Sequence, residues 1–136
     1  MSQSPAYQPP AGGVVPHVNV EGASDASTFY QRAFGGRELF RNVAEDGKRL
    51  MACHLQINGG SFLLSDCFPE WGVTKQPSPT VTMHLQVDDV DAWWKRAIDA
   101  GAKELHPLAD QFWGERYGRL QDPFGVNWSM ASPSKR

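Results

Sequence analysis

The chain repeats itself. His17-Val-Asn-Val20 answers to His84-Leu-Gln-Val87, Gly35-Gly-Arg-Glu-Leu39 to Gly101-Ala-Lys-Glu-Leu105, and His54-Leu-Gln-Ile-Asn-Gly-Gly60 to Arg119-Leu-Gln-Asp-Pro-Phe-Gly125. The three pairs are collinear at offsets of 67, 66 and 65 residues, so single-residue slips align one half with the other. Matches in that order at a near-constant spacing mark an internal duplication. Within 136 residues neither copy alone can bury both faces of a sheet, whereas two joined copies can.

Each copy carries the same order of periodicities. Residues 1–13, rich in Pro, Gly, Ser and Gln, read as a mobile tail. Residues 14–20 alternate with the period of a half-buried strand, and Pro16 requires an edge or a strand start. Residues 21–34 place Ala23, Ala26, Phe29, Tyr30, Ala33 and Phe34 at helical spacing, with Ser24 or Asp25 as cap and Gly35-Gly36 as stop. Residues 37–41, 49–57 and 61–65 then read as strands separated by turns. After a Pro-bearing linker the pattern restarts: strand 81–87, helix 88–100 capped by Asp88 or Asp89 and stopped by Gly101, and strands opening at 103, 117 and 126. The predicted organisation is α+β: two tandem βαβββ modules, 14–66 and 81–131, around a linker 67–80 and before a tail 132–136. They are expected to form a curved mixed sheet around a pocket, with the helices on its outer face.

The alternation sorts the side chains. Val14/Val18/Val20, Met51/Cys53/Leu55/Ile57 and Val81/Met83/Leu85/Val87 are apolar and should pack beneath the helices. The opposite positions, Val15/His17/Asn19, Ala52/His54/Gln56, Thr82/His84/Gln86 and Tyr117/Arg119/Gln121, are largely polar and hold no carboxylate. Such a face suits the lining of a concave pocket. His17 and His84 occupy equivalent places in the two copies. Converging with His54, they would make a three-imidazole site for a divalent metal such as Zn, Ni, Fe or Mn; a metal-free pocket of hydrogen-bonding histidines is the other reading. Arg119 offers a fork-shaped cation to a carboxylate, enolate or phosphate, or else pairs with Glu115 or another acid across the sheet. Phe112 and Trp113 either stack on a planar ligand or seal the core. His106 reads as plain surface. Cys67 has no basic neighbour in sequence to activate it, and no catalytic residue stands out.

Composition narrows the classes. A formal charge of −2 gives no general footprint for nucleic acid or an anionic membrane. No apolar run is long enough to span a bilayer, and the opening residues, with neither a basic nor an apolar stretch, are not expected to act as a signal peptide. Two cysteines are too few for a disulfide framework, so a reduced, cytoplasmic protein is expected.

The paired βαβββ modules, the helix end Phe29-Tyr-Gln-Arg-Ala-Phe-Gly-Gly36 and the segment Gln111-Phe-Trp-Gly-Glu-Arg-Tyr-Gly-Arg-Leu-Gln-Asp-Pro-Phe-Gly125 resemble the vicinal oxygen chelate superfamily. That superfamily includes glyoxalase I, extradiol dioxygenases, and fosfomycin and bleomycin resistance proteins. The long segment looks like its PhnB-like branch. The resemblance implies metal-ligand positions at Val15, Leu64, Thr82 and Ser129, none a convincing ligand, so the usual site is expected to be lost or moved to His17, His54 and His84. Asn19, Gln86, Trp113, Tyr117, Arg119 and Ser129 are then the expected substrate-binding residues. It implies either a metal-assisted lyase, isomerase or dioxygenase acting on a small oxygenated molecule, or a metal-free binder that sequesters one. A structural module with a vestigial pocket is a third reading. A cationic drug suits an acidic groove, so a neutral or anionic ligand is expected. Relatives also imply a homodimer.

Overall fold

The computed structural model describes residues 9–10, 12–76 and 80–135. Most of the expected N-terminal tail and residues 77–79 of the expected linker lie outside that set. The elements run β1 (His17–Val20), α1 (Ala23–Phe34), β2 (Arg37–Val43), β3 (Leu50–Ile57), β4 (Gly60–Asp66), β5 (Met83–Gln86), α2 (Val90–Ala100), β6 (Lys103–Asp110), β7 (Glu115–Gln121) and β8 (Asn127–Pro133). They build two four-stranded mixed sheets, ordered β1-β4-β3-β2 and β5-β8-β7-β6. β1 is parallel to β4 and β5 to β8, while the other pairs are antiparallel. This is the expected α+β fold of two tandem βαβββ modules. Two compact units follow the duplication: one reaches Gln76 without Arg32–Phe34, and the other joins Arg32–Phe34 to the second half.

The helix ends carry the repeat to the residue. Gly22 and Asp89 are the N-caps, 67 apart, and Gly35 and Gly101 are left-handed C-caps, 66 apart. The slip is one residue of helix, since α1 has 12 residues and α2 has 11. Their capping chemistry differs. Asp89 accepts the Ala92 N–H at 3.2 Å, as expected. Gly22 has no side chain to cap with, and neither Ser24 nor Asp25 does so. Asp66 at the end of β4 caps α1 instead, its Oδ1 accepting the N–H groups of Gly22 and Ala23 at 2.8 and 2.9 Å. Its Oδ2 accepts the Leu50 N–H at 2.7 Å, tying the helix start to two strands.

In the first unit, Val20, Phe62, Leu64, Cys53, Leu55 and Ile57 are buried on the face that α1 covers, where Tyr30 meets Phe62 edge-on at 5.3 Å. Under the helix Glu38 accepts from Ser27, Cys53 and Arg41. In the second unit Trp94 of α2 lies directly on Gly118 of β7, where an added Cβ would sit 2.6 Å from the ring. Phe34 meets Trp128 at a ring separation of 4.5 Å.

Three expected core positions are corrected. Val14 is fully exposed and Val81 half-exposed, because each precedes the start of its strand. Met51 is exposed and Leu50 is buried in its place. The β2·β3 register slips between Asn42 and Val43, and the bulge turns β3 over at that point.

Candidate functional site

Strand register defines the face of each sheet turned away from its helix. In the first sheet one row runs His17–Leu63–His54–Phe40. The corresponding row of the second sheet runs His84–Ser129–Arg119–His106. His17 answers to His84 and His54 to Arg119, as the sequence repeat requires. The centre has diverged from an apolar Leu63 to a polar Ser129.

The first sheet separates its histidines. His17 Nε2 lies 3.0 Å from Ser65 Oγ, and Ser65 in turn donates to Asn19 Oδ1 at 2.7 Å. The serine proton is spent on Asn19, so His17 is the donor to Ser65 and does not act as its base. His54 is buried, with Nε2 2.9 Å from Ser61 Oγ. Ser61 and Ser65 are four residues apart on β4, roughly 13 Å, which leaves the two imidazole tips at least about 7 Å from each other. Nitrogens sharing one ion stand within about 4 Å, because each metal–N bond is about 2 Å.

The second sheet holds a directed hydrogen-bond chain. Gln86 Nε2 donates to the Glu115 carboxylate at 3.3 Å, which turns its Oε1 toward His84. His84 Nε2 is 2.9 Å from that oxygen and therefore carries the proton. His84 Nδ1 then accepts from Ser129 Oγ at 2.7 Å. Both ring nitrogens are engaged. Among the described residues no group of three or more His, Cys, Asp or Glu is placed to hold a metal. The residues present do not fit a divalent ion: the first sheet spreads its imidazoles, and the second engages both ring nitrogens of His84 in hydrogen bonds.

Arg119 is the opposite case. Its Nη2 donates to Thr82 Oγ1 at 2.8 Å, while its Nε is buried without any acceptor. The alternative expectation, an ion pair with Glu115, does not occur, because four residues of extended β7 hold the two roughly 13 Å apart. Glu115 corrects another expectation. It shares the face of Tyr117 and Arg119, which is therefore not free of carboxylate; the alternation that found Tyr117 extends back to it. Leu64 is corrected too, since it lies on the helix-covered face and is wholly buried, whereas Leu63 and Ser65 face away.

An array of rings borders Arg119. Tyr117 stands 6.3 Å from His84 at an interplanar angle of 20°, and 5.8 Å from Trp113 edge to face. His106, read from sequence as plain surface, lies directly across from Arg119 and 6.5 Å from the Tyr117 ring. The bulges flanking it, with Pro107 adjacent, break the alternation that would have revealed it. Asn19 sits on the first sheet, bonded to Ser65. Both cysteines are free and buried. Burial, aided by the neighbouring Glu38 carboxylate, pushes the Cys53 thiol up to about 12, and burial raises Cys67 as well.

A family model described as "Glyoxalase/Bleomycin resistance protein/Dioxygenase superfamily" matches residues 14–130. The chain belongs to that superfamily. Protein Mb0911c of Mycobacterium bovis is 44% identical over 124 residues, covering 87% of this chain and 81% of that one. Among solved structures, TioX from Micromonospora sp. ML1 is 26% identical at a TM-score of 0.73, covering 90% of this chain and 99% of TioX. The fosfomycin resistance protein FosX of Listeria monocytogenes shares the fold at a TM-score of 0.72 and 15% identity, covering 92% of this chain and 95% of FosX. A mutant of FosX is also described in complex with Mn(II) and a dihydroxypropylphosphonic acid. Among the described residues no helix is long and apolar enough to cross a membrane.

Proposed function

We propose that this superfamily member binds a small oxygenated molecule without a metal, on the open face of its second sheet, through Arg119, Ser129, His84, Gln86, Tyr117 and Trp113. The Arg119 guanidinium carries the reading: its Nη2 donates to Thr82 Oγ1 and, among the described residues, it has no acidic partner, so its charge is left for a ligand's oxygen. The guanidinium favours an anionic oxygen over a neutral one. In this reading the protein is a homodimer of the reducing cytoplasm.

The metal-assisted alternative, a lyase, isomerase or dioxygenase built on His17, His54 and His84, draws on the family and on the Mn(II) complex of FosX. Elemental analysis of tag-free protein incubated with Zn, Ni, Fe and Mn salts and then desalted separates the two. Substoichiometric metal is the expected result. One equivalent of metal, lost in the His17→Ala/His84→Ala double variant, contradicts the proposal and restores the metal-assisted reading.

A further inference from the structure

We infer that the ligand of the second sheet is a planar aromatic monocarboxylic acid, its ring system against Trp113 and Tyr117 and its carboxylate on Arg119; this rests on the binding site just proposed and specifies its ligand. Three independent features converge on that chemistry.

The first is the presentation of Phe112 and Trp113. Their turn is not a loose loop. Gln111 N–H donates to the Glu115 carbonyl at 2.8 Å, Gly114 N–H to the Gln111 carbonyl at 3.2 Å, and Ser134 N–H to the Gly114 carbonyl at 2.8 Å. Gly114 supports this turn with φ +95°, a conformation L side chains rarely adopt. On this pinned backbone Phe112 is 96% exposed and Trp113 52% exposed. Full burial of such a side chain is worth roughly 1.5–3 kcal/mol, which this turn forgoes while holding the rings in place. A fixed, exposed indole is suited to taking a flat partner.

The second is the ring array itself. Trp113, Tyr117, His84 and His106 present both faces and edges around one phenol, at centroid separations of 5.8 to 6.5 Å. Offset and edge-to-face packing with another aromatic ring adds about 0.5–1.5 kcal/mol beyond area burial, which an aliphatic ligand does not obtain.

The third is charge. Arg119 follows Tyr117 by two residues on the same face of β7, about 7 Å along the strand, a spacing that a two-ring aryl carboxylate can bridge. Among the described residues Arg119 has no anionic partner, and one of its donors is buried without an acceptor. A single guanidinium is matched in charge and in fork geometry by a single carboxylate.

The test is calorimetric titration of the full chain with three probes: 2-naphthoate, 2-naphthalenemethanol with the same rings and no charge, and cyclohexanecarboxylate with the same charge and no aromatic ring. Naphthoate is expected to bind saturably and at least tenfold more tightly than either of the others. Arg119→Lys, which keeps the charge but loses the fork, weakens naphthoate and leaves naphthalenemethanol unchanged. Arg119→Met brings naphthoate down to the affinity of the alcohol, and Trp113→Ala weakens both ring-bearing probes. Circular dichroism and melting temperature identify any variant that has failed to fold. Equal affinity for naphthalenemethanol overturns the acid, and equal affinity for cyclohexanecarboxylate overturns the ring. If no probe binds, the inference falls as a whole, whereas the metal-free reading of the site stands or falls separately on the metal analysis.

Discussion

Asp122 shows how much one short side chain can hold. Its Oδ1 accepts the N–H groups of Phe124 and Val126 at 2.9 and 3.0 Å, and its Oδ2 accepts Trp128 Nε1 at 2.9 Å. The Asp-Pro-Phe-Gly turn and a wholly buried indole thus depend on one carboxylate. Replacing it with alanine takes this acceptor from the buried Trp128 N–H and from two backbone N–H groups, and chemical denaturation should show a loss of about 3 kcal/mol, with Asp122→Asn losing less. Glu38 is the matching residue in the first unit. Burial by itself raises its carboxyl, but hydrogen bonds from Arg41, Ser27 and Cys53 and the Arg41 charge outweigh burial and hold it below its ordinary value of 4.5. A depressed acid contributes its stability fully above the unfolded value and loses it as pH falls through the folded one. Calorimetric melting of Glu38→Gln should therefore lie below wild type at neutral pH, with the gap closing as pH drops below 4.5. Cys53, pushed up to about 12 by burial and held against Glu38, should resist iodoacetamide in the native protein and react after unfolding.

At the scale of elements, β7 has no room for a side chain at Gly118. A Cβ there would meet two ring atoms of Trp94 at 2.6 and 2.9 Å and the Leu108 backbone at 3.0 Å. Gly118→Ala should cost about 1–3 kcal/mol by overpacking, and Trp94→Leu in the same chain should recover part of it. The two helix starts predict an inequality as well. Asp89→Ala removes one cap bond and should cost about 1 kcal/mol. Asp66→Ala strips three backbone donors of their acceptor and should cost more by urea unfolding. Much of this scale is legible in the chain: alternation marked the strands at 14–20, 49–57 and 81–87, turn signals bounded the rest, and Gly35 and Gly101 ended both helices as read. The missed features share a physical origin, because each depends on a distant partner. Asp66 caps a helix 43 residues before it, which no local pattern reveals. Bulges at Asn42/Val43 and around His106 shift the period within a strand, so Leu50 and His106 fall on faces that strict alternation denies them.

Across the whole molecule, duplication supplied two equivalent rows and divergence gave them different chemistry. His17–Leu63–His54–Phe40 is a row without an arginine or lysine, its two imidazoles drawn toward opposite ends of β4 by Ser65 and Ser61. His84–Ser129–Arg119–His106 holds a cation with an unmet donor beside an imidazole whose proton is assigned by Gln86 and Glu115. The superfamily was legible because the repeat and the segment ending in Asp122-Pro-Phe-Gly125 are local text. The state of the histidines was not, since it depends on which serine each ring meets across the sheet.

The Arg119 guanidinium, hydrogen-bonded to Thr82 and without an acidic partner among the described residues, stands ready for a ligand carboxylate, and its Nε–H resonance reports the arrival of one. In a 15N-correlated spectrum of the labelled protein, the arginine Nε–H signal lost in Arg119→Lys identifies it. Titration with 2-naphthoate is predicted to move that signal downfield to saturation and to slow its exchange with water. A signal that stays in place while the probe saturates elsewhere on the protein would contradict the account.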